Sequence, residues 1–399
     1  METAERNDLS REKLPFLDGI RGLMALNVVI CHFVLAYYPQ MYMVEKDTGG
    51  GLLRYFARTP LSILVNGDIA VRYFLVLTGF LVGRKFLTGK EPDRALIVKK
   101  SIDRYLRLMP VIFAATLFTH LTMVLGLQHH WDIMDLVAYS DNLALQCNFA
   151  PTLRRLLLNG LYEPFVLGGS DYIGAFWMLR FELWGYILSM LTCYFLRDSK
   201  MRRIGYIVIG LLLWITVDEN YLGFFFGIFV ADLCYRKGEH STWLSRFYEP
   251  LLQKRTVIWI LALIGGYLAT CPMEFVGIHA PLARIPKITT YTPRAVGVAV
   301  LLYCLLQSPS CAKLFEGPIL RFLGKISYSI YAFHTPLMLS MEAGLFGYFY
   351  GRMSYDSAAL LAFGLTIPVI LLVAYGGYLL VEKNRFWSIK RYLEKIPTR

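Results

Sequence analysis

The sequence predicts an all-α protein, a polytopic transmembrane helical bundle of about ten helices with both termini on the cytosolic side. Three observations predict it. Of the 399 residues 56% are hydrophobic and 18% charged, with a mean hydropathy of +0.46, which is more apolar than a soluble domain of this length. The apolar residues come in long blocks, among them Leu23 to Tyr38, Leu61 to Val82, Val208 to Val217 and Leu360 to Val381, as expected for spans of roughly 20 residues. One alternating set of the connections between blocks is basic, as the preference of Lys and Arg for the cytosolic side dictates.

In chain order, Met1 to Leu14 is polar and carries both signs of charge, and no small-residue cleavage site follows the first apolar block, so the first helix reads as a retained signal anchor. The predicted helices are Gly22 to Pro39, Pro60 to Gly83, Tyr105 to Leu127, Ile173 to Leu196, Ile204 to Val217, Tyr221 to Tyr235, Val257 to Cys271, Tyr291 to Leu306, Lys325 to Phe346 and Ser357 to Val381. Residues 1–14 form a cytosolic segment, 15–382 the transmembrane domain and 383–399 a basic cytosolic tail. The basic connections hold Arg6, Arg11 and Lys13; Arg84, Lys85, Lys90, Arg94, Lys99, Lys100 and Arg104; Arg197, Lys200, Arg202 and Arg203; Arg236, Lys237, Lys254 and Arg255; Lys313, Arg321 and Lys325; and Lys383, Arg385, Lys390, Arg391 and Lys395. The opposite face holds Glu45 and Asp47, the long Gln128 to Asp171 connection, Asp218-Glu219-Asn220, and the stretches Met273 to Thr290 and Arg352 to Asp356. Within the longest connection, Leu153 to Leu158 is suited to lie flat at the interface or to re-enter.

The net charge of +12 alone would suggest nucleic acid, but the basic residues are spread over one membrane face, as orientation and contact with lipid headgroups require, so nucleic acid is not the expected partner. Seven scattered cysteines without a CxxC spacing indicate neither a metal site nor a disulfide framework. Cys147 and Cys271 share the outer side, which leaves room for a single bridge.

Ionisable groups at bilayer depth mark the candidate site. His32 lies about 16 Å from the cytosolic end of its helix, counted from Arg21 at 1.5 Å per residue; His334 lies about 13 Å in, counted from Lys325; and Glu182 lies roughly 15 Å from the outer side, counted from Tyr172. Three titratable side chains on three helices thus share one level. Asp68 and Arg72, four residues apart, are placed to neutralise each other, and Arg180 adds a further buried charge beside Glu182. Desolvation favours a neutral imidazole, which suits a general base acting on an alcohol, with a carboxylate such as Glu182 orienting the ring. No GxSxG, Walker A, GxGxxG or HExxH pattern occurs.

These residues fall in a set of motifs. Phe16-Leu17-Asp18-Gly19-Ile20-Arg21-Gly22-Leu23-Met24-Ala25-Leu26, running on to His32, resembles the "LDGLRGLAAL" start of the acyltransferase 3 family of membrane O-acyltransferases. Tyr73 to Leu81 is similar to that family's "FFVLSGFL", with Thr78 where serine is usual. Arg104 to Pro110 is similar to "RRxxRIxP", Trp177 to Glu182 to "WSLxxE" with Arg180 a departure, and Ser327 to Pro336 to "SYSLYLWHWP".

The resemblance implies transfer of an acyl group, commonly acetyl, from an acyl-CoA co-substrate to a hydroxyl, with no permanently bound cofactor and no metal. His32 is then the candidate base, with His334 positioning or sharing that role and Glu182 supporting it; a covalent acyl-histidine is the alternative course. Arg21, Arg104 and Arg107 are the candidates to hold the donor phosphates through their guanidinium forks. Asp18 either caps the first helix or takes part in the chemistry, Asp68 and Arg72 support the site, and Trp177 is a packing or interface aromatic. Gly223-Phe224-Phe225-Phe226-Gly227 fits close helix packing. No hydrolase-like domain follows the last helix, so the expected acceptor is a small or amphiphilic alcohol such as a secondary metabolite. A carbohydrate or polysaccharide acceptor is the alternative. A proton-coupled transporter is the rival class, since midplane histidines and carboxylates also serve proton relays.

Overall fold

The structure, a computed structural model, describes residues 13–46, 51–88, 94–139, 141–236 and 243–383. The predicted N-terminal segment and basic tail lie outside the described residues except for Lys13, Leu14 and Lys383, as do Asp47, Lys90 and Lys237. Among the described residues the chain is helical throughout, apart from turns and an isolated bridge between Tyr350 and Met353.

The long helices are α1 (Pro15–Tyr37), α2 (Gly67–Thr88), α3 (Arg94–Val124), α4 (Met178–Leu196), α5 (Arg202–Thr216), α6 (Leu222–Tyr235), α7 (Arg255–Ala269), α8 (Tyr291–Gln307), α9 (Pro318–Leu337) and α10 (Tyr355–Gly377). By length and composition α1, α3 and the stretch Tyr355–Lys383 are each able to cross a membrane, and α8 with Pro309–Phe315, bent by 108°, makes a fourth candidate. Exposed apolar side chains line the outward faces of α5 (Ile207, Leu211, Ile215), α7 (Trp259, Leu263) and α10 (Leu360, Leu372), a surface that water does not favour and lipid does.

Local chemistry sets the helix ends. Pro15 and Pro318 open α1 and α9 at the first turn, where a missing N–H costs nothing. Pro39 forces Tyr38 out of the helical region, to φ −138°, and ends α1. Asn66 Oδ1 accepts the N–H of Asp68 at 3.0 Å and starts α2, so the helix predicted from Pro60 is instead a 3-10 turn, Pro60–Leu64, followed by a break. The helix predicted from Gly22 begins at Pro15. This places Asp18 inside the first turn, where it takes the guanidinium of Arg21 at 3.3 Å and does not act as the cap. α3 begins at Arg94, well before the predicted Tyr105.

Glycines set the closest helix contacts. A Cβ on Gly79 of α2 would sit 2.0 Å from the carbonyl oxygen of Phe224, and one on Gly227 of α6 would sit 2.1 Å from that of Val76, so these two helices touch backbone to backbone. α2 packs also on α1, α4 and α8, which makes it the hub of the bundle. All seven cysteines are free. Cys147 donates to the carbonyl of Tyr172 at 3.4 Å, so the bridge to Cys271 is not formed. Leu153–Leu161 folds as a short amphipathic helix capped by Thr152, with Leu156, Asn159 and Gly160 buried against its neighbours.

Candidate active site

The pairing of α1 with α9 builds the centre of the site. A Cβ on Gly22 would lie 2.5 Å from the backbone nitrogen of Gly324, and one on Gly324 would lie 1.8 Å from the carbonyl oxygen of Asp18. Ten residues beyond Gly22 is His32, and ten beyond Gly324 is His334. Their ring centroids are 5.1 Å apart. Contacts that stay in step over about 15 Å, at 1.5 Å per residue, mean that the two helices run parallel and in register. The glycine contact near their starts thereby determines that the histidines meet.

His334 is fully buried. Its Nδ1 lies 2.8 Å from the carbonyl oxygen of Tyr331 and 3.2 Å from that of Ile330. Two carbonyls accept and do not donate, so Nδ1 carries the proton and Nε2 keeps its lone pair, towards which the Thr335 hydroxyl donates at 3.1 Å. Among the described residues nothing hydrogen-bonds the ring of His32, which stands in the wall of a small pocket with Tyr37, Gln146, Thr335 and Glu342.

A cavity of about 860 Å³ opens on the other side of Tyr331 and brings the predicted arginines together: Arg21, Arg104 and Arg107 line it with Asp18 and Glu182. Tyr331 separates it from the histidines, its ring centroid 6.2 Å from that of His334 and its hydroxyl bonded to the carbonyl of Ala175. Arg21 donates to Ser327 at 3.5 Å. Glu182 is not joined to an imidazole. Thr78 donates to its oxygens at 3.1 and 3.3 Å, and Arg104, lying over the ring of Tyr186, closes an ion pair with it. α4 packs on α2 and α3, and it is side chains of those two helices, Thr78 and Arg104, that hold the carboxylate.

The other predicted supporting residues lie elsewhere. Asp68 and Arg72 are paired at 2.7 Å as expected, but Asp68 is shared with Arg294 of α8, and the group faces a second cavity of about 650 Å³ with Trp177 in its wall. Arg180 turns away from Glu182, donating to the carbonyl of Leu167 at 3.5 Å. Residues that spacing alone did not single out also line the arginine cavity: Thr78, Arg321, Lys325, Tyr328, Tyr331 and Glu382. Arg321 and Lys325 were legible as an i, i+4 basic pair at the start of α9; Glu382 was not, since its partner Ser329 is 53 residues distant. Among the described residues there is no cluster of His, Cys, Asp and Glu arranged to hold a metal ion.

A family described as an acyltransferase domain matches residues 14–379. Acyltransferase R4 of a Phoma species is 29% identical over 144 residues, 33% of this chain and 31% of that protein. O-acetyltransferase PaAT-1 of Phomopsis amygdali is 23% identical over 409 residues, 90% of this chain and 79% of that protein. A putative O-acetyltransferase of Staphylococcus aureus (strain COL) is 23% identical over 349 residues, 80% of this chain and 50% of that protein. The chain therefore spans less than two thirds of the first and third of these relatives. No solved structure matches it.

Proposed function

The chain belongs to the acyltransferase family matched above, and from that premise we propose that it is a multi-pass membrane O-acyltransferase. It moves an acyl group, acetyl in the simplest case, from acyl-CoA to the hydroxyl of a small or amphiphilic acceptor such as a secondary metabolite. The fungal and bacterial relatives named as O-acetyltransferases support the reaction class. Ten crossings with both termini in the cytosol, the topology that the basic connections favour, turn the arginine cavity toward the cytosolic donor.

The observation that carries this reading is that one cavity holds Arg21, Arg104 and Arg107 and ends at Tyr331, one helical turn from His334 and its neighbour His32. Its size falls within the ~300–1,000 Å³ of small-molecule sites. The guanidinium groups hold the donor phosphates through charge-assisted forks, and Arg321 and Lys325 add positive charge at the same wall. For the thioester to reach the paired imidazoles, the Tyr331 ring that stands between them and the cavity moves aside. His32 takes the proton of the acceptor hydroxyl as its oxygen bonds to the thioester carbonyl carbon. The C–S bond breaks, and the leaving thiolate takes that proton from the imidazolium, so that ester and free thiol result.

Membranes containing the protein are expected to transfer label from acetyl-CoA to a hydroxylated acceptor, and His32→Ala to abolish the transfer while still inserting. Unchanged turnover in that variant removes His32 from the mechanism. Gradient-driven flux without acylation overturns the enzyme reading.

A further inference from the structure

Helix α9 does not stop at Leu337. It passes through a π turn, Met338–Glu342, and continues as a helix over Ala343–Phe349. Two features favour the wider turn. Pro336 has no N–H to return to the preceding turn, and Ser340 donates to the Pro336 carbonyl at 2.7 Å. π turns are uncommon and concentrate at functional sites because they shift the phase of every side chain that follows. Here the residue whose direction is reset is Glu342.

Glu342 is 1% exposed and its Oε2 has no hydrogen-bond partner among the described residues. A buried carboxyl oxygen without a partner is costly and calls for a reason. It lines the same small pocket as His32, together with Gln146, Thr335 and Tyr37. That pocket measures about 20 Å³, slightly more than the ~10–15 Å³ one water requires. The buried Glu342 carboxyl and the half-buried His32 ring, neither with a hydrogen-bond partner among the described residues, thus face one water-sized space with further polar groups in its wall.

We propose that Glu342 is a positioning residue for His32: a single water accepts the N–H of the imidazole and donates to the carboxyl oxygen of Glu342. The opposite ring nitrogen is thereby left unprotonated, as a base requires, on the logic by which a carboxylate fixes the tautomer of a catalytic histidine. His334 has its tautomer set by the carbonyls of Ile330 and Tyr331. His32 has no such carbonyl, and Glu342 supplies the equivalent constraint.

The inference rests on the acyltransferase reading for its kinetic consequence but not for its structural one, so two measurements on the full chain separate them. With acetyl-CoA as donor, Glu342→Gln, which preserves shape, is expected to lower kcat by about tenfold or more while KM for acetyl-CoA stays within twofold, and Glu342→Asp to recover part of the loss. In substrate-free protein with 15N-labelled histidine, the His32 ring signals, assigned by their absence in His32→Ala, are expected to shift from one tautomer toward a mixture in Glu342→Gln. A Gln variant with wild-type kcat, or one whose His32 signals are unmoved, overturns the proposal. Should the Gln variant fail to insert, Glu342→Met is read in the same two ways. If the wild-type chain transfers no acyl group, the functional reading falls and the tautomer measurement alone decides the role of Glu342.

Discussion

His32 and His334 stand with ring centroids 5.1 Å apart and planes inclined by 46°, each ten residues beyond the glycine at which α1 and α9 touch. The two imidazoles are not equivalent. His334 has its Nδ1 proton committed to backbone carbonyls, so only Nε2 is left to act. His334→Asn retains a donor near Nδ1 and removes Nε2, whereas His334→Gln retains a polar group near Nε2. Activity should fall in both if the whole ring is used, and more in the Asn variant if Nε2 is what faces the substrate. An Asn variant with wild-type turnover would show that the ring only holds the helix.

The glycine contact itself is testable. A methyl group at Gly324 would sit 1.8 Å from the Asp18 carbonyl, part of a rigid backbone that does not give way. Gly324→Ala should therefore separate α1 from α9 and cost at least the ~1–3 kcal/mol typical of overpacking. The readout is the thermal midpoint in detergent together with acyl transfer. A variant as stable and as active as wild type would refute the claim that this contact sets the histidine register.

Much of this centre was legible in the sequence and some of it was not, for identifiable reasons. His32, His334 and the arginines sit in short contiguous stretches, and a regular helix carries side chains forward predictably. The partner of Glu182 was misjudged because depth along a helix says nothing about the direction a side chain faces, and α4 faces α2 and α3. Arg294 was missed because its bond to Asp68 joins residues 226 apart. Glu342 was missed because the π turn breaks the 3.6-residue period on which facing residues are counted.

Thr78 stands where the family usually has serine, and its hydroxyl donates to Glu182. The hydroxyl, not the methyl group, is the part both residues share. Thr78→Ser should leave activity near wild type, while Thr78→Val, similar in volume but without the donor, should weaken donor turnover by the ~1–3 kcal/mol of an unsatisfied buried group. Steady-state kinetics with varied acetyl-CoA checks this. Equal kinetics for the Ser and Val variants would dismiss the bond as incidental.

The connection after α3, which lends Ile133 and Gln146 to the wall of the His32 pocket, should respond to pH. His130 is fully buried in the connection after α3; its Nε2 lies 3.3 Å from the Gln146 carbonyl and must carry the proton, while Nδ1 has no partner among the described residues. Burial holds this imidazole below its ordinary range, the surrounding carbonyls only partly opposing that. The folded chain therefore binds fewer protons at this position than the unfolded chain as pH drops below about 6.5. Stability is retained above that value and lost as pH falls through it. The adjoining His129 amide donates to Leu339 within the π turn at 3.1 Å, so loosening here reaches the pocket. The thermal midpoint of the wild type should drop more between pH 7.5 and 5.5 than that of His130→Gln, which keeps a donor for the Gln146 carbonyl but does not titrate. An identical pH dependence in the two proteins would show that the proton is taken up elsewhere.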